Sequence, residues 1–181
     1  MSLPPSAAEP LRIAALAARA DGEAEVACSL LLDAAQLDPA DANVQFDLAE
    51  IHLDLEHVDA AQAILDALEG KAGDVARVRA LQARGRLIAA GQSADPASLQ
   101  ARIDANLDDF DARLRMANAL ALTRDYRPAL HLLLELVRRD RKWQDEAARK
   151  AMLDLFTLLG SEPRYDDMVR EFRILLARAL N

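Results

Sequence analysis

The side chains most able to bind a metal or move a proton are three histidines, and their spacing does not assemble a site. They are His52, His57 and His131. His52 and Glu56 are four residues apart and would share one face of a helix, but no third ligand follows at the spacing of a zinc motif. We therefore interpret His52 and His131 as residues at or beside helix contacts, and we expect no bound metal.

The single cysteine, Cys28, lies within the apolar run 26–32. One thiol cannot form an internal disulfide, and the sequence has no Cys-x-x-Cys pair for thiol–disulfide exchange. A lone thiol in an apolar run behaves as a small hydrophobic side chain. The sequence therefore predicts no redox chemistry at Cys28.

Carboxylates are abundant, and two clusters could supply an acid–base pair. The clusters are Asp108, Asp109 and Asp111, and Asp166 and Asp167. Acid–base catalysis needs a desolvated pair in a cleft, whereas these acids precede predicted helices, where they favour the helix dipole. The sequence also lacks a glycine-rich phosphate loop and a nucleophile elbow. We therefore predict a protein that is not an enzyme and uses no cofactor.

Composition and charge narrow the class of protein further. Hydrophobic residues make up 52% of the 181 residues and aromatic residues only 4%, which favours helices built from Ala and Leu. Residues 1–70 contain 14 acidic and 2 basic residues (net −12), and residues 71–181 contain 16 and 20 (net +4), which together give −8. A nucleic-acid partner is not expected. The asymmetry fits solvated helix faces or two poles that dock different partners.

No targeting or membrane segment is visible in the sequence. The start lacks a basic and apolar leader, and no uncharged apolar stretch approaches the ~18 residues that span a bilayer. The sequence therefore predicts a cytoplasmic protein.

Small residues recur at a fixed interval along the chain. Three alanines are each followed four residues later by leucine. The second of these alanines lies 34 residues after the first, and the third lies 68 residues after the second. The pairs are Ala27 and Leu31, Ala61 and Leu65, and Ala129 and Leu133; the same steps relate Ala15, Ala49 and Ala117. Small residues let the two helices of a hairpin approach closely, and large ones fill the gaps between turns. The shorter step, a period of about 34 residues, is the length of the tetratricopeptide repeat.

Helix-ending residues divide the chain into five predicted pairs of helices. Pro39 ends the first pair, Gly91 is a candidate for the residue that follows a helix, and Asp95 caps a helix that begins with Pro96. Ser161 is expected to cap the last helix. The ten predicted helices are 6–20, 23–37, 41–53, 58–68, 75–90, 96–107, 111–123, 127–139, 144–159 and 161–180.

The sequence thus predicts an all-α fold, a tetratricopeptide-like stack of antiparallel helix hairpins with about ten helices in a right-handed superhelix. We expect residues 6–181 to form a single repeat domain. Residues 1–5 are interpreted as a cloning scar or a linker.

One segment carries a more specific resemblance. It comprises Arg138-Arg139-Asp140-Arg141-Lys142-Trp143, followed by Ala147-Ala148-Arg149-Lys150 and Leu155-Phe156. With Leu107-Asp108-Asp109 and Tyr126-Arg127-Pro128-Ala129-Leu130, it resembles the C-terminal region of the YbbN-type chaperedoxins, which are thioredoxin-like co-chaperones with tetratricopeptide repeats. Members of that family begin with a thioredoxin-like domain that this sequence lacks. We therefore expect the chain to be the repeat region of a longer protein.

Three surfaces are candidates for binding a partner. The first is a groove lined by the first helix of each hairpin. Its predicted residues are Asn43, Phe46, Glu50 and Leu53 in the second pair, and Asp111, Leu114, Asn118 and Ala121 in the fourth. Phe46 and Leu53 would point toward a partner unless flanking helices cover them. Such an acidic and apolar groove suits an extended basic or hydrophobic peptide.

The second surface is a basic cluster around Trp143, and the third is the last helix. The basic cluster comprises Arg138, Arg139, Arg141, Lys142 and Arg149. Helix-end cations around a tryptophan packing wedge are the simpler interpretation, and a basic interaction surface is the alternative.

In the last helix the candidates are Val169, Phe172, Arg173, Leu176 and Leu180. No later helix covers that helix, so we expect exposed apolar surface there. The resemblance implies that this end docks to the chaperonin.

The resemblance implies a protein-binding module that holds unfolded clients or docks to chaperones, with the chaperonin as the first candidate. Two alternatives remain open at this point. The repeats could serve structure or self-association, or they could select substrates for the missing thioredoxin-like oxidoreductase domain.

Overall fold

In the computed structural model, which describes residues 7–70, 73–91 and 95–181, the chain is all-α. The described residues form ten α-helices and one short 3₁₀ helix, Pro163–Tyr165, and contain no strand. The α-helices are α1 Glu9–Ala20, α2 Ala24–Leu37, α3 Ala42–Asp54, α4 Val58–Leu68, α5 Val75–Gly91, α6 Pro96–Ala105, α7 Phe110–Leu122, α8 Tyr126–Arg139, α9 Ala147–Leu159 and α10 Asp166–Leu180. The predicted all-α fold is confirmed, and α1 packs on α2, α3 on α4 and α7 on α8 as the predicted hairpins require.

The turn inside three of the hairpins recurs with the repeat period. Gly22, Glu56 and Arg124, which are separated by one period and then by two, have positive φ angles of 84°, 58° and 66°. In each turn the next amide donates to a carbonyl five residues earlier. These bonds run from Glu23 to Ala18, from His57 to His52 and from Asp125 to Leu120, at 2.8–2.9 Å. A left-handed residue closed by such a bond ends one helix and reverses the chain into the next.

Aspartates begin several helices by satisfying their free N–H groups. The Asp41 carboxylate accepts from the amides of residues 43 and 44, Asp95 accepts from those of residues 97 and 98, and Asp109 accepts from that of Ala112. Such a cap stabilises a helix by about 1 kcal/mol. The predicted cap at Asp95 is confirmed, and Asp109 acts as a cap rather than as half of an acid–base pair.

The chain divides into two compact units, Met1–Gly85 and Arg86–Asn181. In the first unit, α1 packs on α2, α2 on α3 and α3 on α4. Alanines allow the helices to approach, and aliphatic side chains such as Leu31 and Ile51 fill the remaining space. The buried alanines follow the predicted period and extend it by one member, because Ala83 falls one period after Ala49 and one period before Ala117.

In the second unit, α8 is the central helix, with contacts to α7, α9 and α10. It buries Leu130, Leu133 and Val137 against aromatic and aliphatic side chains that include Phe156 and Phe172. Whether residues 6–181 behave as a single domain stays a prediction. The segment 1–5, interpreted as a scar or linker, lies outside the described residues.

Three predicted helix ends need correction. Gly91 is the last residue of α5 rather than the residue after it, and any side chain at this position would overlap that of Leu122. Helix α9 begins at Ala147 because residues 144–146 are all left-handed, which a continuous helix does not allow. Helix α10 begins at Asp166, and the Ser161 hydroxyl donates to the Leu158 carbonyl instead of capping α10.

Candidate protein-binding surfaces

The predicted groove residues of the second hairpin are not all exposed. Phe46 and Leu53 are 3% and 1% exposed, so of the two alternatives they are covered and do not point toward a partner. The Phe46 ring is covered by Arg77, whose guanidinium carbon lies 4.5 Å from the ring centroid. Asn43 and Glu50 do reach the surface on the same side of α3.

Charged side chains of α1, α3 and α5 instead cover this side of the first unit, which we call the inner face. Each α3 carboxylate is shared by two arginines. The contacts are Asp47 to Arg12 (2.7 Å) and Arg77 (3.1 Å), Glu50 to Arg19 (2.7 Å) and Arg77 (2.7 Å), and Asp54 to Arg19 (2.5 Å) and Arg84 (2.6 Å). These residues, with Glu9 bound to Arg12, form the arginine–carboxylate network. Four arginines therefore face four carboxylates across three helices.

The protonation of the network follows from its hydrogen bonds. Burial raises the pKa of the Glu50 carboxyl, but hydrogen bonds from Arg77 and Arg19 outweigh burial, so the net pKa lies below its ordinary value. Burial and hydrogen bonds oppose each other in the same way at Asp54, whose pKa is also lowered, by Arg19 and Arg84. Both groups are ionised at neutral pH, and their charges are balanced. The predicted acidic character of the groove is therefore wrong for the inner face.

The four arginines were not among the predicted site residues, although the repeat register indicates them. Arg12 and Arg19 lie one repeat period before Phe46 and Leu53. Arg77 and Arg84 lie one repeat period after Asn43 and Glu50. The prediction considered the second and fourth hairpins alone, whereas the basic side chains come from the first and third.

The predicted groove residues of the fourth hairpin lie in the second unit and are mostly covered. Asn118 and Ala121 on α7 are buried, at 8% and 2% exposure. Leu114 is partly buried against the core of this unit. Asp111 remains accessible, and its carboxylate accepts a hydrogen bond from Arg102 at 3.0 Å. Most of this set therefore serves packing rather than a free surface.

The basic cluster is largely engaged in local contacts. Arg139 contacts the Asp108 carboxylate and the Leu107 carbonyl at 2.8 Å, and Arg141 donates to the Leu180 carbonyl at 3.0 Å. Arg149 pairs with Glu146. Arg138 and Lys142 are exposed and form no ion pair among the described residues.

Trp143 is partly buried within this cluster. Its ring packs edge-to-face on Phe110, with the ring centroids 5.7 Å apart. The structure therefore places the tryptophan at a packing contact, as the simpler interpretation predicted.

Helix α10 differs from its prediction in which side chains are free. Val169, Phe172 and Leu176 are buried, at 6%, 0% and 5% exposure, and Leu180 packs partly on the same core. The expectation of exposed Val169 is wrong, because α8 and α9 both contact α10 and cover this side of it. The outward strip of α10 holds Ile174, which is 50% exposed, beside Arg173.

The remaining reactive side chains do not converge on a site. Burial raises the pKa of the Cys28 thiol, which makes it a poor nucleophile. Within the described ranges, no group of three or more His, Cys, Asp or Glu side chains could hold a metal ion. Across those same ranges, no helix has the length and apolarity to cross a bilayer.

Two family profiles, both described as tetratricopeptide repeat, match the chain. One covers residues 18–85 and the other residues 89–181. The first of these matches ends at Gly85, which is also the last residue of the first compact unit. No curated protein sequence matches the chain.

Proposed function

We propose that this chain, which belongs to the tetratricopeptide repeat family, is a protein-binding module without a reaction of its own. Repeats of this kind generally mediate contacts between proteins, and stacked helix hairpins offer extended surfaces for that purpose. Many of the described acidic and basic side chains are helix caps or members of ion pairs.

The observation that carries this proposal is the arginine–carboxylate network on the inner face. Its guanidinium and carboxylate groups are partly exposed and already held in place by hydrogen bonds across three helices. Groups fixed in this way bind a partner's polar groups with little further ordering of side chains. Because the charges balance, the inner face selects partners by the arrangement of donors and acceptors rather than by net charge.

The finer proposal is a co-chaperone module of the YbbN type that acts in the cytoplasm. It would hold unfolded clients or dock to chaperones, and in the full protein it would follow an N-terminal thioredoxin-like domain. The resemblance from Arg138 to Phe156 supports this assignment. For docking to the chaperonin, the predicted Arg173 and the exposed Ile174 on the outward strip of α10 remain the proposed contact, without the buried Val169.

A pair of matched variants tests the inner face. Asn43→Trp places a bulky side chain on it, whereas Ser29→Trp places the same side chain at an exposed position of α2. Both positions are exposed, so each variant should keep its stability within about 0.5 kcal/mol. Binding would be measured by calorimetry with purified chaperonin and by the suppression of aggregation of a chemically denatured protein.

We expect Asn43→Trp to weaken at least one of these activities tenfold or more and Ser29→Trp to leave both unchanged. Equal effects of the two variants would reject the inner face as the binding surface. The absence of both activities in the unmodified chain would reject the co-chaperone role.

A further inference from the structure

The first unit has a second surface, an apolar groove between the loop that follows α2, the start of α3 and the end of α4. The groove has a volume of about 580 Å³. Its lining residues are Pro39, Ala40, Ala42, Gln45, Ile64, Ala67 and Leu68. The lining contains one polar side chain, Gln45, and its amide already donates to the Pro39 carbonyl at 3.3 Å. A small polar ligand would find few groups to orient it here, because pockets for such ligands combine apolar walls with several placed polar groups.

Four acidic residues adjoin the lining of this groove in sequence. Asp38, Asp41, Asp66 and Glu69 are each adjacent in sequence to a lining residue. Asp41, Asp66 and Glu69 form no ion pair among the described residues. No lysine or arginine occurs between Arg19 and Lys71. An apolar groove with such a rim is complementary to apolar side chains flanked by cations.

Two of these carboxylates lie where the helix dipole disfavours an acidic side chain. Asp66 lies in the last turn of α4 and Glu69 directly follows that helix. The C-terminal end of a helix carries partial negative charge, so acidic side chains there are unfavourable and lysines would be preferred. Asp66 accepts one hydrogen bond, from the Gln62 side chain at 2.6 Å, and no hydrogen bond to the Glu69 side chain is formed among the described residues.

We infer that this groove binds a cationic amphipathic segment of a partner protein, with the apolar side chains in the groove and lysines or arginines at the acidic rim. The inference rests on the proposed protein-binding function but places a second contact away from the inner face. Helical segments with apolar anchors commonly enter grooves of this kind.

Calorimetry with designed peptides tests the inference. The first peptide is an amphipathic helix of leucine, alanine and lysine, and the second replaces every lysine with glutamate. We expect the lysine peptide to bind at least tenfold more tightly than the glutamate peptide, and we expect added salt to weaken its binding. Equal affinity for the two peptides, or no binding of the lysine peptide, would overturn the inference.

Two double variants locate the contact. Asp66→Lys with Glu69→Lys changes the rim, while Asp21→Lys with Glu25→Lys makes the same change in net charge at the other end of α2. The rim variant should lose at least tenfold in affinity and the control less than threefold. The rim variant should also melt at the same or a higher temperature, because lysine suits a helix end.

Two further results would overturn the inference. Equal losses in the two double variants would show attraction by overall charge and would overturn the inference. Concentration-dependent dimers in sedimentation without peptide, abolished by the rim variant, would identify a second copy as the occupant and would also overturn it. The Asn43→Trp experiment remains independent of these results, so failure of the groove and failure of the proposed function can be told apart.

Discussion

In the first unit, α1, α3 and α5 face one another through charged side chains, whereas in the second unit α10 is held by aromatic and aliphatic ones. Asp47, with its side chain 7% exposed, binds two arginines from two other helices. Phe172, fully buried on α10, forms a T-shaped ring contact with His131 and lies in the core around α8. Both arrangements join neighbouring helices, but in the second unit one exposed ion pair, Arg127 with Glu171, links α8 and α10, whereas in the first unit four arginines and four carboxylates form a connected network.

The difference shows where a binding function can reside in a stack of similar hairpins. An apolar contact buries its side chains and removes them from partners. A shared ion pair keeps its groups partly in water and orients them at the same time. The inner face of the first unit is therefore better suited to recognition than the packed side of α10.

The largest expected effect is on the packing of α10. Phe172→Ala should lower the free energy of unfolding of the second unit by about 3–5 kcal/mol, because it leaves a cavity in a fully buried site. Ile174→Ala on the same helix should change it by about 0.5 kcal/mol or less, since Ile174 is exposed. Urea titrations of both variants provide the measurement. Comparable losses would mean that α10 packs through a different face.

The next effect concerns the arginine–carboxylate network. Asp47→Asn keeps the shape of the side chain but removes the charge shared by Arg12 and Arg77, and it should cost about 1–3 kcal/mol. Asp167→Asn, which breaks an exposed pair with Arg170, should cost about 0.5 kcal/mol or less. Urea denaturation at low and high salt measures both. If the loss of unfolding free energy in Asp47→Asn disappears in high salt, the network is a surface feature that contributes little to stability.

The hairpin turns allow one substitution to be made in each unit at an equivalent position. Glu56 and Arg124 occupy the left-handed position that Gly22 holds in the first hairpin. Glu56→Gly and Arg124→Gly should each stabilise by up to about 1 kcal/mol, and Gly22→Ala should destabilise by about 1 kcal/mol. Thermal unfolding measures all three. If Glu56→Gly stabilises and Arg124→Gly destabilises, or the reverse, the turns in the two units do not have the same conformational requirement.

The sequence predicts local features of the fold well. The interval between Ala27, Ala61 and Ala129 predicts the hairpins because close helix contacts require small residues wherever the repeat recurs. The cap at Asp95 is a contact between near neighbours in sequence and could also be predicted. The network residues Arg12 and Arg77 could have been found from the same register.

Other features depend on contacts between distant parts of the chain. The periodicity of α10 identifies its apolar residues but not how much of that surface α8 and α9 cover, so the sequence alone predicts an exposed Val169 that the structure buries. The groove at Ile64 and Leu68 arises where the ends of separate helices leave a gap, and no single segment of sequence describes such a gap.

The smallest expected effect is a pH dependence of stability that the first unit shows because of His52 and the second unit does not share. His52 on α3 is partly buried, its Nδ1 has no hydrogen-bond partner within the described residues, and its ring centroid lies 5.8 Å from that of His57. Burial lowers the pKa of His52, and the nearby charge of His57 lowers it further. The unfolded chain therefore takes up a proton at His52 at a higher pH than the folded chain does. Where the unfolded state holds more protons, stability rises with pH.

The first unit should thus lose stability slowly as the pH falls from 7 to 5, while Glu50 and Asp54 stay ionised because their pKa values are lowered. His52→Gln should flatten this dependence, and His131→Gln in the second unit should not. Urea midpoints at pH 5, 6 and 7 for the three proteins provide the measurement, and an unchanged slope in His52→Gln would exclude His52 as the source.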